Sequence, residues 1–84
     1  MIALFPLFVR FVPVNRKHHK ILGETIRSYR QSAGLSQENL ADRADLHHNY
    51  VGELERGEKA ATTDTHLKIA KALGVRVGDL VVRL

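Results

Sequence analysis

Apolar residues recur at helical spacing from about residue 20 to the end of the chain. The first stripe of this kind advances in steps of four, three and four residues. Its members are Leu22, Ile26, Tyr29 and Ala33. The stripe predicts a helix from about Lys20 to Ser32, and Gly34 is the residue type that most readily ends it.

Two short helices joined by a tight turn are predicted between residues 36 and 57. Ser36 is a good N-cap for the first of them, because its hydroxyl can accept hydrogen bonds from the first turn. Asp45 tolerates turn geometry and separates the two helices. The apolar residues fall in two stripes: Leu40, Ala41 and Ala44, then Tyr50, Val51 and Leu54. Helix, turn and helix of this size are typical of a DNA-binding helix-turn-helix.

Two further helices complete the predicted fold. Thr62 or Thr63 can cap a fourth helix, and Gly74 ends it. The apolar residues of that helix are Leu67, Ile69, Ala70 and Leu73. A short terminal helix is predicted over residues 75–84. We therefore predict an all-α domain of five helices over residues 21–84.

Residues 1–20 form an extension of different character. The run MIALFPLFVRFVPV is interrupted by Arg10 and is too short to span a bilayer, so no membrane association is expected. Pro6 and Pro13 prevent a continuous helix. Two interpretations are favoured: a disordered or adventitious extension, or a strand or arm that docks on a partner protomer. Membrane anchoring by this arm is a third, minor interpretation. Residues 16–20 read as a basic linker.

Charge is unevenly distributed along the chain. Four of the 13 basic residues and none of the 9 acidic residues lie in the first 20 positions, so residues 21–84 carry nine of each. A positive surface on the folded domain must therefore come from sorting of charges. The chain has no cysteine, which excludes disulfides, thiolate chemistry and zinc–cysteine sites.

A family resemblance is carried by three segments, GLSQENLADRADL, YVGELERG and LKIAKALGV. In this order and spacing they are similar to the lambda-repressor-like helix-turn-helix regulators, often called the Xre family. The resemblance covers about residues 22–82 and implies the same five-helix fold and DNA binding. The stretch LHHNYVGELERG also resembles controller proteins of restriction–modification systems.

The resemblance has departures as well as matches. Asp45 stands where the family usually has glycine in the turn, and Ala60-Ala61 replaces its usual Asn-Pro. Thr63 and His66 occupy positions that the family fills with buried leucines. These changes bear on the packing of the fourth helix. A histidine facing a core is usually neutral and hydrogen-bonded, or rotated outward.

Base reading is predicted for the start of the second motif helix, where His47, His48 and Asn49 are exposed. The Asn49 amide can pair with an adenine edge, and Glu53, one turn later, can accept from cytosine. In the family, the positions of His48 and Asn49 face bases. Contacts near the DNA backbone are predicted for Gln37, Arg56, Lys59 and Arg27. The family also implies that Glu55 forms a structural ion pair with a neighbouring helix.

A dimer interface is predicted at the C-terminus, because apolar residues crowd the last helix beyond what it can bury beneath itself. The residues assigned to this interface are Leu80, Val81 and Leu84, beside Val82.

Other function classes find little support. The five histidines include two adjacent pairs, whose side chains diverge by about 100° on a helix, and no HExxH motif is present, so no metal site is expected. The chain has no phosphate-binding glycine loop or nucleophile elbow, so no enzyme activity, cofactor or small-molecule ligand is expected. We predict a cytoplasmic transcriptional regulator that reads an inverted repeat in double-stranded DNA as a homodimer. The alternative is a protein-interaction module of the same fold, such as an antitoxin or bridging factor.

Overall fold

The computed structural model describes residues 16–84, and this part of the chain contains five α-helices and no β-strand. In chain order they are α1 (Arg16–Ser32), α2 (Gln37–Ala44), α3 (His48–Glu55), α4 (Thr63–Leu73) and α5 (Val77–Val81). The predicted all-α class with five helices is confirmed. The apolar N-terminal segment, residues 1–15, lies outside the described residues.

Helix α1 begins at Arg16, four residues before the predicted start at Lys20. The expected basic linker over residues 16–20 is therefore helical instead. Arginine and lysine are good helix formers, and a helix already anchored by packing extends at little cost. That anchor is the buried pair Leu22 and Ile26.

The core draws apolar side chains from all five helices. Its members are Leu22, Ile26, Leu40, Ala41, Ala44, Val51, Leu54, Ile69, Ala70 and Leu80. Helix α3 packs against both α1 and α2, while α4 packs on α2 and α5 joins α4 to α1. The second helix of the predicted motif is therefore held from two sides.

Helix α4 turns a different face to the core than the apolar pattern predicts. Its buried residues are Thr65, Ile69 and Ala70, whereas Leu67 is exposed to 55%. Leu67 lies two residues before Ile69, which is about 200° around a helix of 3.6 residues per turn. The buried Thr65 hydroxyl meets the Thr62 hydroxyl at 3.0 Å, so its burial is compatible with its polarity. Leu67, one of the four apolar residues of the predicted helix, therefore lies on its exposed side.

His66 lies half-buried beside this face. Its Nε2 atom is buried and has no hydrogen-bond partner within residues 16–84. Desolvation lowers the pKa of His66, which favours the neutral ring. The expected neutral form is supported, whereas the expected hydrogen bond at Nε2 is not formed.

The terminal helix is shorter than predicted, covering Val77–Val81 rather than residues 75–84. Leu80 is fully buried in the core of its own chain, so it cannot belong to an exposed patch. This corrects the predicted interface, whose exposed members are Val82 and Leu84, at 77% and 48%, with Val81 half-buried.

The first four helices end in the same hydrogen-bonded turn. In each, an amide just beyond the helix bonds the carbonyl five residues earlier, the pattern of a Schellman cap. The residues in the left-handed conformation at these caps are Gly34, Asp45, Gly57 and Gly74. Asp45 has φ 56° and ψ 48°, as its place in the turn predicts. A side chain is disfavoured in this conformation, because Cβ crowds the following carbonyl.

Replacement of Asp45 by glycine should therefore stabilise the protein. Asp45→Gly removes the Cβ strain at this cap, and we expect the free energy of unfolding to rise by roughly 0.5–1 kcal/mol. The reciprocal control is Gly74→Asp, because Gly74 has φ +71° and nothing within 4 Å of an added Cβ. Chemical denaturation should show a gain for the first variant and a loss of similar size for the second. A less stable Asp45→Gly protein would contradict the strain argument.

Candidate nucleic-acid interface

The exposed side of α3 and the first turn of α2 enclose a depression of about 320 Å³. It is lined by Gln37, Glu38, His48, Asn49, Gly52, Glu53 and Arg56. Five residues predicted for DNA contact thus meet at one surface, while His47, Lys59 and Arg27 are not part of its lining. Gly52 was not predicted to belong to this surface. It lies three residues after Asn49 and four before Arg56, a spacing that puts all three residues on one face of a helix.

His47 precedes α3 as its N-cap, with φ −66° and ψ 137°. Its Nδ1 atom accepts a hydrogen bond from the Asn49 backbone N–H at 3.2 Å. The rings of His47 and His48 are stacked, with centroids 4.6 Å apart and planes inclined by 22°. The expected divergence of these two side chains is wrong, because His47 is extended rather than helical.

The side chain of Glu55 is wholly buried and accepts hydrogen bonds from three other side chains. Arg30 donates to it through Nε at 2.6 Å and through Nη2 at 3.0 Å. Arg27 Nε donates at 3.2 Å, and Gln37 Nε2 at 3.0 Å. The predicted structural ion pair of Glu55 with a neighbouring helix is confirmed. Because the donors come from α1 and α2, this carboxylate joins three helices.

Two opposing effects act on the pKa of Glu55. Burial alone would raise this pKa, since desolvation penalises the charged form. The hydrogen bonds from Arg30, Gln37 and Arg27 outweigh it and hold the pKa below its ordinary value. Glu55 therefore stays ionised in the fold at neutral pH.

Gln37 is oriented by this same carboxylate. Its amide nitrogen faces Glu55, so its amide oxygen lies on the other side, 3.4 Å from the position of an added Cβ on Gly52. Arg27, although bonded to Glu55, keeps about half of its side chain exposed. The predicted contacts of Gln37 and Arg27 with the DNA backbone remain predictions.

The two cations near the end of α3 form exposed ion pairs. Arg56 donates to Glu58 through Nε at 2.6 Å and Nη2 at 3.2 Å. These bonds raise the pKa of Arg56 and lower that of Glu58. Lys59 lies 3.7 Å from Glu53. Exposed pairs of this kind contribute little to stability, so a phosphate can displace either carboxylate at small cost.

Gly23 sets how closely α1 approaches α3. A Cβ on Gly23 would lie 2.3 Å from the Leu54 carbonyl oxygen and 2.5 Å from that of Glu55. The backbones can meet only because this residue has no side chain. The apolar pattern of the chain does not reveal this contact, because the helical stripe is defined by apolar side chains and Gly23 has none.

Two adjacent helices, α2 and α3, joined by a tight turn and exposing the start of the second, define a helix-turn-helix domain. The family model described as Helix-turn-helix matches residues 26–80. The chain belongs to this family, as a regulator of the Xre type, and the predicted resemblance is confirmed.

Individual relatives agree with this placement. Control protein C.SmaI of Serratia marcescens is 45% identical over 64 residues, which cover 76% of each chain. Control protein C.BamHI of Bacillus amyloliquefaciens is 42% identical over 62 residues, covering 73% of this chain and 76% of that one. The crystal structure of the restriction-modification controller protein C.AhdI from Aeromonas hydrophila matches with a TM-score of 0.73 and 37% identity. That match covers 74% of this chain and 94% of C.AhdI. Within residues 16–84, no helix has the length and apolar character needed to cross a membrane.

Removal of the Glu55 charge should destabilise the fold in a pH-dependent way. Glu55→Gln leaves the largely buried guanidinium of Arg30 without its charged partner, which costs about 3 kcal/mol at pH 7. Because the folded-state pKa is lowered, the carboxylate's contribution is present above the ordinary glutamate pKa of ~4.3 and is lost as the pH falls below it. The difference in the free energy of unfolding between wild type and variant, measured by urea denaturation, should decrease from pH 7 toward pH 3.

The matched control for that experiment is Glu58→Gln, which alters an exposed pair and should leave stability almost unchanged. A Glu55→Gln protein as stable as wild type at pH 7 would refute the role given to this carboxylate.

Proposed function

We propose that this protein is a sequence-specific transcriptional regulator of the restriction–modification controller type, which acts in the cytoplasm. It binds an inverted repeat in double-stranded DNA as a homodimer. One observation carries the proposal: a single exposed depression between α2 and α3 of the helix-turn-helix is lined by Gln37, His48, Asn49, Glu53 and Arg56. The similarity to control proteins C.SmaI and C.BamHI supports the regulatory assignment.

The side chains in this depression suit a division of labour between bases and phosphates. Asn49 presents an amide, which can pair with an adenine edge, and His48 can donate to a guanine or a phosphate. Glu53 can accept from a cytosine amino group once Lys59 is drawn to a phosphate. Arg56 lies at the end of α3, where it holds the protein in register on the backbone.

The charge balance favours base reading over non-specific attraction. Residues 21–84 hold equal numbers of basic and acidic residues, and the first turns of α1 add only Arg16, Lys17 and Lys20. The depression itself includes Glu38 and Glu53. Only a few phosphates can be neutralised by such a surface, so we expect a modest salt dependence of binding. This neutrality also supports the second candidate, a protein-interaction module of the same fold, which would bind duplex DNA without sequence preference or not at all.

Dimerisation is proposed to use the C-terminal apolar surface, formed by Val81, Val82 and Leu84. Val82 and Leu84 of this surface are exposed, and Arg83 between them lies 3.4 Å from Thr25 and 3.9 Å from Glu24 on α1. A two-fold axis there would place two α3 helices on successive major grooves if their separation is ~34 Å, one turn of DNA. An inverted repeat is the sequence that such a dimer reads.

Substitution of Asn49 should alter sequence preference, whereas substitution of Arg56 should not. Asn49→Ala should cost ~1–3 kcal/mol on the preferred site and relax the preference at one base pair. Arg56→Ala should weaken binding to all sequences alike and reduce the slope of log K against log salt by about one. Selection from a randomised duplex library, followed by fluorescence anisotropy at several salt concentrations, measures both effects.

The control for the asparagine is Asn39→Ala, an exposed asparagine on α2 outside the depression, which should bind as wild type does. The assignment of Asn49 fails if its replacement leaves the selected sequences unchanged. A wild-type protein that selects no sequence would favour the protein-interaction module.

Charge placed on the C-terminal apolar surface should produce monomers. Val82→Asp/Leu84→Asp puts two carboxylates where the partner's apolar surface would lie, and unpaired buried charge is costly. Sedimentation velocity at micromolar concentration should show wild-type dimers and variant monomers. Ala60→Asp, the same kind of change at an exposed loop position, should remain dimeric. A wild-type monomer, or a double variant that still dimerises, would rule out this interface.

A further inference from the structure

We infer that His47 acts as a positioning residue, which holds His48 and Asn49 in place for DNA instead of reading a base itself. The inference rests on the proposed DNA-binding function. It comes from two contacts that engage the His47 ring within the protein: the cap to the Asn49 amide at 3.2 Å and the stack on His48 at 4.6 Å.

The cap determines the tautomer of a neutral His47 ring. Nδ1 can accept the Asn49 N–H only through its lone pair, so a neutral His47 must carry its proton on Nε2. A serine or aspartate at an N-cap would supply the same acceptor. Only an aromatic cap, however, can also stack on the next side chain.

Helix α3 depends on this cap more than its neighbours depend on theirs. Helix α2 has the Ser36 hydroxyl cap and Glu38 in its first turn, and α4 has the Thr62 cap and Asp64. Helix α3 has eight residues and no acidic residue in its first turn, so the imidazole is the stabilising group there. His48 and Asn49 are the first two residues of that turn, and fraying would displace both of them.

The stack restrains His48, which is also predicted to contact a base. His47 and His48 are both exposed, so packing against the core does not restrict their rings. The near-parallel contact limits the rotamers of His48 before DNA arrives. A side chain that is already ordered loses less conformational entropy on binding.

Three substitutions separate the cap from the stack. His47→Ala removes both contacts, His47→Asn keeps a cap acceptor without an aromatic ring, and His47→Phe keeps a ring without an acceptor. On a duplex that wild type selects from a randomised library, we expect a loss of about tenfold in affinity for the alanine variant. The asparagine and phenylalanine variants should each recover part of that loss, and all three should select the wild-type sequence.

The cap is tested without DNA by amide hydrogen exchange and by long-range ¹H–¹⁵N spectra of the histidine rings. The Asn49 amide should exchange faster in the alanine and phenylalanine variants than in wild type and the asparagine variant. His47 should carry its proton on Nε2.

Several results would overturn the inference. One is an affinity of His47→Ala equal to that of wild type, and another is a new preference at one base pair in His47→Asn and His47→Phe. The third is an exchange rate of the Asn49 amide that the alanine and phenylalanine variants leave unaltered. If wild-type protein selects no sequence, the proposed function and the positioning role both fall. The exchange data, measured on free protein, distinguish that outcome from a failed cap.

Discussion

The fold depends on one buried carboxylate. Glu55 sits on the inner side of α3 with no exposed side-chain area, and its charge is balanced by Arg30 and Arg27 from α1. The Gln37 amide from α2 adds a hydrogen bond to the carboxylate. A buried charge is tolerated only when its partners stay in place. The angle and depth of α3 relative to its two neighbours are therefore set together, so the surface that would meet DNA has one geometry.

The two sides of α3 differ in the kind of contact they make. The inner side combines Val51, Leu54 and Glu55, all buried, whereas the outer side includes Glu53, which forms a solvent-accessible ion pair with Lys59. Buried contacts resist exchange, and exposed pairs are easily broken. Rigidity and availability for a ligand are thus found on opposite faces of the same eight residues.

Much of the fold was predictable because its determinants are local. Ser36, Asp45 and Gly74 act at the helix ends where the sequence placed them, and apolar periodicity located the five helices. The start of α1 was missed because residues 16–20 have no apolar stripe. The burial of Thr65 on α4, with Leu67 exposed, was not predicted because the pattern counts only apolar residues. The resemblance to a known family indicated the structural role of Glu55. The bonding of Gln37 to Glu55, the stack of His47 on His48 and the approach at Gly23 depend on neighbours distant in sequence or on rotamers, which no single-chain pattern specifies.

The close contact at Gly23 has a consequence for how such a domain changes its target. Because α1 meets the carbonyl oxygens of Leu54 and Glu55 directly, part of the contact that places α3 is made by backbone atoms, beside the contacts of the buried Glu55 side chain. Residues on the outer side of α3 can therefore be substituted without disturbing this backbone contact with α1. A scaffold of this kind can acquire a new operator by a few surface substitutions, and regulators with one architecture can diverge in target while folding alike.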